Sequence, residues 1–316
     1  MGSTAPNPMV GCVIVVNDQI IAEGYTSPYG GSHAEVNAIK AVKDVSLLSK
    51  ATLYVTLEPC SHFGKTPPCS DLISAHKIPR VVIGCIDEHD KVCGKGIAKL
   101  KAAGCEVIVG VLEAECKAHH KRFFTYHTKK RPYIILKWAE SNDGFIAPRS
   151  KSEAKPVWIS NIYSRQLVHQ WRAEEQAILV GANTVVQDNP SLTTREVKGA
   201  NPIRVVIDLK NSLAESYQVF NSDAKTIRLT SKDIDTHHPL ASEVCKALYI
   251  QHITSVIIEG GQKTIQAFID ENLWDEARVF SSQINIKDGV LKPKLKGIPN
   301  SKTPIVSDSL NLFIND

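Results

Sequence analysis

The sequence lacks the apolar runs that a membrane protein needs. Stretches such as Cys12–Val16, Val81–Ile86 and Val256–Ile258 are far shorter than the roughly 20 residues of a transmembrane helix. It also has no secretory signal peptide ahead of them. These two absences exclude a membrane-spanning protein and predict a soluble, cytoplasmic one.

Strong charge of one sign is also missing. The formal net charge is only +4 over 316 residues, with neither a long Lys/Arg run nor a stripe of interleaved aromatic and basic residues. This composition disfavours a duplex nucleic-acid partner and a zinc-dependent RNA-binding or RNA-editing protein. It suits a small anionic substrate, so we expect a small-molecule partner and no nucleic acid.

Regular disulfide spacing is the third absence. The eight cysteines form no framework of the kind found in secreted proteins. In a cytoplasmic chain we expect reduced, mostly buried thiols. Two of them, Cys60 and Cys69, stand close enough in sequence to suggest a different role.

Strands that alternate with short helices predict an α/β layer architecture. A length of 316 residues predicts two domains, each with its own core. We expect the first domain over residues 1–127 and the second over residues 132–316, with a linker at His127–Pro132. The charge run Lys129, Lys130 and Arg131 is interpreted as a solvated part of that linker.

One imidazole, two thiols and a carboxylate form the main chemical pattern. His33 lies two residues before Glu35, and Pro59-Cys60 is followed by Cys69 with residues 61–68 between the cysteines. Three N/S ligands leave a tetrahedral zinc ion with one open position, as in catalytic sites. Water in that position has its pKa lowered to about 7. Glu35 can take the proton of that water and deliver it to a leaving amine.

The pattern H-x-E, then P-C and a further Cys, is typical of zinc-dependent nucleobase deaminases, although their usual C-x-x-C spacing is shorter. A chance grouping and a structural zinc site completed by His62 are the alternatives. The catalytic interpretation is favoured because the predicted strand Leu53–Leu57 precedes Pro-Cys, while His33 opens a helix with Ser32 as its predicted N-cap. Cys69 begins another helix, where a thiol has a depressed pKa.

The loop Ser61–Pro68 is tethered at both ends by proposed ligands. His62 and Lys65 must therefore lie next to the metal. We expect them to bind a substrate phosphate or carbonyl group. The alternative is an exposed, solvated loop.

A strand, two glycines and a helix form the main pattern of the second half. The predicted strand Ser255–Ile258 runs into Glu259-Gly260-Gly261, and helical spacing follows from Thr264. Such an arrangement lets backbone N–H groups at a helix N-terminus approach a phosphate. The G-x-G-x-x-G fingerprint is absent, so a simple tight turn is the alternative.

Longer motifs carry a resemblance to a known family. The first half resembles the bifunctional deaminase/reductases of riboflavin biosynthesis in Pro6–Gly11, His33–Glu35 and Glu58–Cys69, where the long inter-cysteine loop separates that family from tRNA and cytidine deaminases. The second half is similar to the family through a further set of motifs. These are Leu136–Ala139, Asp143-Gly144, Trp158-Ile159, Ala177–Gly181, Asp188–Thr193 and Glu259–Gly261. The resemblance is weakest over residues 209–251 and after residue 286.

The resemblance implies an N-terminal cytidine-deaminase-like three-layer α/β domain and a C-terminal dihydrofolate-reductase-like α/β domain. The first would use Zn²⁺ to hydrolyse the exocyclic amine of 2,5-diamino-6-(5-phosphoribosylamino)pyrimidin-4(3H)-one. The second would use NADPH to reduce the ribosyl group to ribityl. A homo-oligomer is expected. The alternative is a single-activity deaminase or reductase whose other half is only structural.

The same resemblance implies the site residues. Zinc would be held by His33, Cys60 and Cys69, with Glu35 as the catalytic carboxylate and Asn7, His62 and Lys65 in the deaminase substrate pocket. The NADPH side would consist of Ala139, Trp158, Thr184, Asp188, Gly261, Gln262, Lys263, Thr264, Ile265, Gln266 and Ala267. The reductase substrate side would consist of Arg172, Leu192, Arg195 and Glu259.

The charges and hydrogen-bonding groups of the reductase residues agree with these roles. Two Arg side chains suit a phosphate bidentately, and Glu259 or Asp188 could hold ribose hydroxyls. For Arg172, on the predicted helix Asn161–Glu174, an ordinary solvated helix face is the alternative.

Two departures from the family pattern stand out. Family members usually begin with a helix before the Pro-Asn-Pro turn, and here only five residues precede Pro6. Either the start is truncated or the deaminase sheet loses a covering helix. In addition, the loop Ser150–Pro156 does not match the family. The substrate contact expected there falls on Pro156, which has no side-chain donor, so no role is assigned to it.

Overall fold

Two compact units make up the chain, which passes from one to the other between Lys130 and Arg131. The computed structural model describes residues 4–63, 67–88 and 93–315. Among these residues, no helix combines the length and the apolar character required to cross a membrane.

The first unit is built on a five-stranded sheet with helices packed against it. The strands are β1 Gly11–Val16, β2 Gln19–Tyr25, β3 Thr52–Leu57, β4 Arg80–Cys85 and β5 Glu106–Val109. The helices are α1 Ala34–Ala41, α2 Cys69–Ala75, α3 Lys95–Ala102 and α4 Glu113–Lys129, with a short 3₁₀ helix at Val45–Lys50. In the described part of the chain, no helix precedes β1.

The strand order of this sheet brings the proposed ligands together. The order is β2-β1-β3-β4-β5; β1 is antiparallel to β2 and β3, whereas β3, β4 and β5 are mutually parallel. Strands β1 and β3 alternate between buried and less buried positions, whereas β4 is buried from Val81 to Cys85. The apolar side chains of α1, α2 and α3 cover one face, through Ala38, Ile73 and Leu100. The carboxyl ends of β3 and β4 therefore meet at one edge, beside the N-termini of α1 and α2.

The second unit is built on an eight-stranded mixed sheet. The first strands of the unit, in chain order, are β6 Tyr133–Glu140, β7 Phe145–Pro148, β8 Ala177–Gly181, β9 Ile203–Ile207 and β10 Thr226–Leu229. The remaining strands are β11 Ser255–Gly260, β12 Glu276–Ser281, β13 Gly289–Leu291, β14 Ser301–Ile305 and β15 Asp308–Ile314. The helices are α5 Ile162–Glu174, α6 Ala182–Asp188, α7 Leu240–Ile250 and α8 Gln262–Asp270, with a 3₁₀ turn at Gln218–Phe220.

Parallel pairing dominates this second sheet. The order is β10-β9-β8-β11-β6-β12-β15-β14, parallel up to β12 and antiparallel at β15 and β14; β13 and β7 form a separate two-stranded sheet. The central strands are apolar along their length because both faces are covered. In β6, Ile134 and Leu136 join one core, whereas Tyr133 and Ile135 join the core on the other face.

Two local predictions are wrong. The segment predicted as a solvated linker is helical as far as Lys129, and Lys130 ends the helix with a left-handed backbone (φ 52°). Arg131 is buried and makes two hydrogen bonds with the carboxylate of Asp275, 144 residues later, at 2.5 and 2.8 Å. Ser32 is not the N-cap of α1 either. His33 holds that position with an extended backbone (φ −73°, ψ 163°) and makes no side-chain cap.

Replacing Arg131 with Met is expected to destabilise the second unit by about 3–5 kcal/mol, because Asp275 would be left buried without its cation. The two side chains are only 9% and 6% exposed. Urea unfolding followed by tryptophan fluorescence measures this effect, since all four Trp residues belong to this unit.

Arg149→Met is the matched control. Arg149 pairs with Asp288 in the same unit, but the two side chains are 72% and 67% exposed. An exposed ion pair contributes about 1 kcal/mol or less. Equal losses in the two variants would contradict the role assigned to Arg131.

Candidate functional site: a metal centre and a second polar cavity

His33, Cys60 and Cys69 converge on one point in the first unit. His33 precedes α1, Cys60 follows β3 and Cys69 is the first residue of α2. The Nδ1 atom of His33 lies 3.5 Å from the Sγ of Cys60 and 3.4 Å from the Sγ of Cys69, and all three atoms lie within 4.8 Å of one another.

These separations fit zinc. Zn–S bonds of about 2.3 Å and Zn–N bonds of about 2.0–2.1 Å at a tetrahedral ion place N and S about 3.5 Å apart. The donor set is one nitrogen and two sulfurs. The described residues contain no fourth His, Cys, Asp or Glu in this group, so the structural-site alternative with His62 as a ligand is not supported.

The surroundings of Cys60 favour the thiolate that a metal requires. Hydrogen bonds from the Cys69 and His33 side chains outweigh burial and lower the pKa of Cys60 to about 4. The hydrogen bond with Cys60 and burial raise the pKa of Cys69, so the depressed pKa predicted for this thiol is wrong. The backbone N–H of Cys69, at the start of α2, also donates to the Cys60 sulfur over 3.3 Å. A helix N-terminus stabilises negative charge, so the local fold favours a metal-binding sulfur at this position.

Glu35 lies in the first turn of α1, beside this centre. It is only 4% exposed, and burial raises its pKa to about 7. A carboxyl group that exchanges its proton near neutral pH is suited to general acid–base catalysis. The arrangement therefore places a proton carrier next to the three ligand atoms.

A cavity of about 280 Å³ opens onto the metal centre. Of the residues predicted for the deaminase site, Asn7, His33, Glu35, Cys60 and His62 line it, while Cys69 is buried behind them. Lys65 lies outside the described residues.

Sequence reasoning missed several other residues that line this cavity. They include Tyr29, Asp87, Phe123 and His127. Phe123 and His127 are four residues apart on α4, with ring centroids 4.5 Å apart, so their helical spacing was the available signal.

A second cavity, of about 440 Å³, lies in the second unit at the carboxyl ends of β6, β8 and β11. Its lining includes seven residues that were predicted for the cofactor side and one that was predicted for the substrate side. These are Ala139, Trp158, Thr184, Asp188, Gly261, Gln262, Ile265 and Glu259.

Only some of the residues predicted for the cofactor side at positions 261–267 line the cavity, because most of them lie on the helix α8. Gly261, Gln262 and Ile265 line the cavity, whereas Lys263, Thr264, Gln266 and Ala267 do not. Gln266 instead contacts Lys294 and Asp270. A helix presents only some of seven consecutive side chains to one site, so a continuous run cannot line it.

The glycines before α8 form a close-fitting cradle. A Cβ atom on Gly260 would lie 2.9 Å from the Thr184 Oγ1 atom, and Gly261 has a φ of 53° that favours glycine. The N-terminus of α8 follows directly, which provides backbone N–H groups for a phosphate. This arrangement suits a phosphate-bearing cofactor, and a simple tight turn remains the alternative.

Glu259 is held between two cations. Arg172 donates to its Oε2 atom over 2.6 Å, and the Lys137 ammonium lies 3.1 Å from Oε1. Burial would raise the pKa of Glu259, but the charges of Arg172 and Lys137 outweigh it and lower the pKa to about 2. Arg172 is only 11% exposed, so the alternative of a solvated helix face is wrong. Lys137 is a site residue that sequence reasoning missed.

Arg195 lies close to Arg172 without a carboxylate hydrogen-bond partner among the contacts of the described residues. Its guanidinium donates to the hydroxyls of Ser191 and Thr193, and burial and the charge of Arg172 lower its pKa. In the described part of the chain, the buried Nε of Arg172 also has no hydrogen-bond partner. Leu192, the remaining predicted substrate residue, is buried in the core.

The loop Ser150–Pro156 reaches the second cavity. Lys151 forms an ion pair with Asp188, one of the predicted cofactor residues, and Pro156 lines the same cavity. The Lys151 side chain is 8% exposed, so this contact is largely shielded from water. No sequence signal assigned Lys151 to the site.

Comparison with known families matches each half separately. Residues 1–85 match the cytidine and deoxycytidylate deaminase zinc-binding region, and residues 132–284 match the RibD C-terminal domain. The fold classes predicted for the two halves are thereby confirmed.

Whole-chain relatives cover both halves. The riboflavin biosynthesis protein RibD of Aquifex aeolicus is 39% identical over 295 residues, covering 88% of this chain and 82% of its own. The RibD protein of Actinobacillus pleuropneumoniae is 38% identical over 331 residues, covering 98% of this chain and 84% of its own.

Solved structures show the same architecture. The diaminohydroxyphosphoribosylaminopyrimidine deaminase/5-amino-6-(5-phosphoribosylamino)uracil reductase of Thermotoga maritima matches with a TM-score of 0.89 and 37% identity, covering 100% of this chain and 94% of the other. Acinetobacter baumannii RibD matches with a TM-score of 0.86 and 29% identity, covering 99% and 94%.

Proposed function

Because this chain belongs to the family of the riboflavin biosynthesis protein RibD, we propose roles for the side chains of its two cavities. The chain is a bifunctional enzyme, a zinc-dependent pyrimidine deaminase and an NADPH-dependent reductase. The observation that carries the deaminase proposal is the convergence of His33, Cys60 and Cys69 beside the buried Glu35.

In the first cavity, His33, Cys60 and Cys69 hold the metal. When bound, zinc supplies a nucleophile at neutral pH by lowering the pKa of water to about 7. The carboxylate of Glu35 takes up a proton and delivers it to the nitrogen that leaves as ammonia. Asn7 and His62 orient the pyrimidine from the cavity wall, and Lys65 is assigned to the same role from the sequence.

In the second cavity, the cradle at Gly260-Gly261 and the N-terminus of α8 bind a phosphate of the cofactor. When bound, NADPH supplies the hydride that converts ribosyl to ribityl. Ala139, Trp158, Thr184 and Asp188 position the cofactor from the cavity wall. Lys151 pairs with the Oδ1 atom of Asp188, and a carboxylate has further acceptor positions for a ribose hydroxyl.

Arg172 and Arg195 bind the phosphate of the substrate. The support is electrostatic: the two cations lie close enough to lower the pKa of Arg195, and the buried Nε of Arg172 is a donor that a phosphate oxygen would satisfy. Glu259 stays ionised between Arg172 and Lys137 and fixes the direction of the Arg172 guanidinium.

A cytoplasmic location and a homo-oligomeric state remain predictions. The absence of a membrane-crossing helix among the described residues is compatible with the first. The proposed partner of each cavity is a small phosphorylated pyrimidine.

Glu35→Gln is expected to lower the deaminase kcat by at least about 10²-fold, because the variant cannot carry the proton. The reduction of already deaminated substrate, measured by NADPH oxidation, should keep its rate. Glu23→Gln, at an exposed position of β2, is the matched control and should keep both activities.

Zinc removal tests the same separation of activities. A chelator should abolish deamination and leave NADPH oxidation on deaminated substrate unchanged. Deamination that persists in Glu35→Gln would remove the proton-carrier role, whereas loss of both activities on chelation would contradict independent sites.

Arg195→Ala is expected to raise the reductase KM for the phosphorylated substrate by at least about tenfold, because a charge-assisted contact of about 1.5–3 kcal/mol is lost. The KM for NADPH should change less than about twofold on the same argument. Arg228→Ala, which removes an Arg paired with the exposed Glu215, should leave both values unchanged. Equal rises in both KM values would point to a general structural role for Arg195.

A further inference from the structure

Glu58 is a buried carboxylate beside the metal centre to which the proposed mechanism gives no role. It follows β3 directly, precedes Pro59-Cys60 and is 4% exposed. Its two oxygens accept hydrogen bonds from four backbone N–H groups. These are Gly94 at 2.9 Å and Asp87 at 3.3 Å on Oε2, and Gly96 at 2.9 Å and Ile97 at 3.2 Å on Oε1.

Three of these donors belong to the start of α3. The N-cap of α3 is Gly94, which has no side chain to cap the helix. The first N–H groups of a helix have no partner within the helix, and a carboxylate near them is favoured by the helix dipole. Glu58 therefore supplies from β3 the cap that α3 lacks.

The chain immediately after Glu58 also packs against α3. A Cβ atom on Gly96 would lie 2.0 Å from the carbonyl oxygen of Pro59, so only glycine allows this approach. The backbone between Glu58 and Cys60 is thus fixed by two contacts to the same helix turn.

Cys60 is held from its other side by α2. Its carbonyl oxygen accepts hydrogen bonds from the backbone N–H and the hydroxyl of Ser70, at 3.1 and 3.0 Å. Cys60 is therefore held by contacts to two helices, α2 and α3. The contact to α3 depends on one charged side chain, that of Glu58.

We infer that Glu58 is a positioning residue of the deaminase site: by binding the N-terminus of α3, it holds Cys60 at the ligand position and Asp87 at the cavity wall. This inference rests on the proposed role of Cys60 as a metal ligand. Groups that orient metal ligands affect metal affinity by about 10–100-fold when they are removed.

The test measures the rate at which zinc passes from the full-length, zinc-loaded protein to a chromogenic chelator. Glu58→Gln is expected to release zinc at least about tenfold faster than the wild type. Cobalt substitution provides a readout that simple destabilisation does not produce. The thiolate-to-cobalt absorption of Glu58→Gln should shift in the folded protein, and its NADPH-dependent reductase rate should be unchanged.

Gly96→Ala disturbs the same contact, between the segment Glu58–Cys60 and α3, from the side of the helix. It keeps the Glu58 side chain but would place a Cβ atom 2.0 Å from the Pro59 carbonyl oxygen and 3.2 Å from the Glu58 Oε1 atom, so faster zinc release is expected here as well. Glu271→Gln is the control, because Glu271 also caps a helix, α7, through the backbone N–H groups of Ala241 and Ser242, at 2.9 and 2.8 Å. It should release zinc at the wild-type rate.

Wild-type zinc release and cobalt absorption in Glu58→Gln would overturn the inference. If that variant fails to fold, as judged by circular dichroism and limited proteolysis, Gly96→Ala decides: faster release supports the inference and unchanged release overturns it. Cys60→Ser tests the ligand role of Cys60 separately from the positioning role of Glu58. If it binds zinc as tightly as the wild type, the ligand assignment is wrong and the inference about Glu58 falls with it.

Discussion

The first unit depends on one geometric constraint: three ligand atoms from three separate segments must lie within about one zinc coordination sphere. No single helix or strand can meet it. The sheet meets it because β3 ends where α1 and α2 begin, which brings Cys60, His33 and Cys69 to one edge. Packing of α1 and α2 on the sheet through Ala38 and Ile73 therefore determines the metal geometry as well as stability.

Backbone N–H groups at helix N-termini are placed beside charged or anion-binding positions in both units. In the first unit, the N-terminus of α2 donates to the sulfur of Cys60, and that of α3 binds the carboxylate of Glu58. In the second, the N-terminus of α8 follows the Gly260-Gly261 cradle. Each uses backbone N–H groups that a helix leaves without internal partners, so no additional cationic side chain is required.

Buried charges in the second unit are compensated locally. Glu259 is balanced by Arg172 and Lys137, and Asp275 by Arg131. In the first group, Glu259 and Lys137 line the second cavity, whereas Arg172 does not; the buried Nε of Arg172 has no hydrogen-bond partner in the described part of the chain. The second group is fully matched.

The sequence predicted the features that arise from local patterns. The strand predicted at Leu53–Leu57 matches β3 to within one residue, and the placement of Cys69 at the start of α2 was correct. The family motifs then predicted the zinc and NADPH chemistry of the two halves.

Features that depend on distant partners were not predictable. Arg131 was assigned to solvent because nothing near it indicates Asp275, and the roles of Glu58 and Lys151 depend on α3 and Asp188. The failure at Ser32 is of a different kind. The helix begins one residue later because the extended backbone of His33 directs its imidazole toward the cysteines rather than continuing into the helix.

Zinc K-edge X-ray absorption of the metal-loaded, full-length protein counts the sulfur ligands of the metal. We expect two sulfur scatterers at about 2.3 Å and lighter nitrogen or oxygen scatterers at about 2.0–2.1 Å. A spectrum that requires fewer than two sulfurs, or four, would contradict the three-ligand centre on which the deaminase chemistry depends.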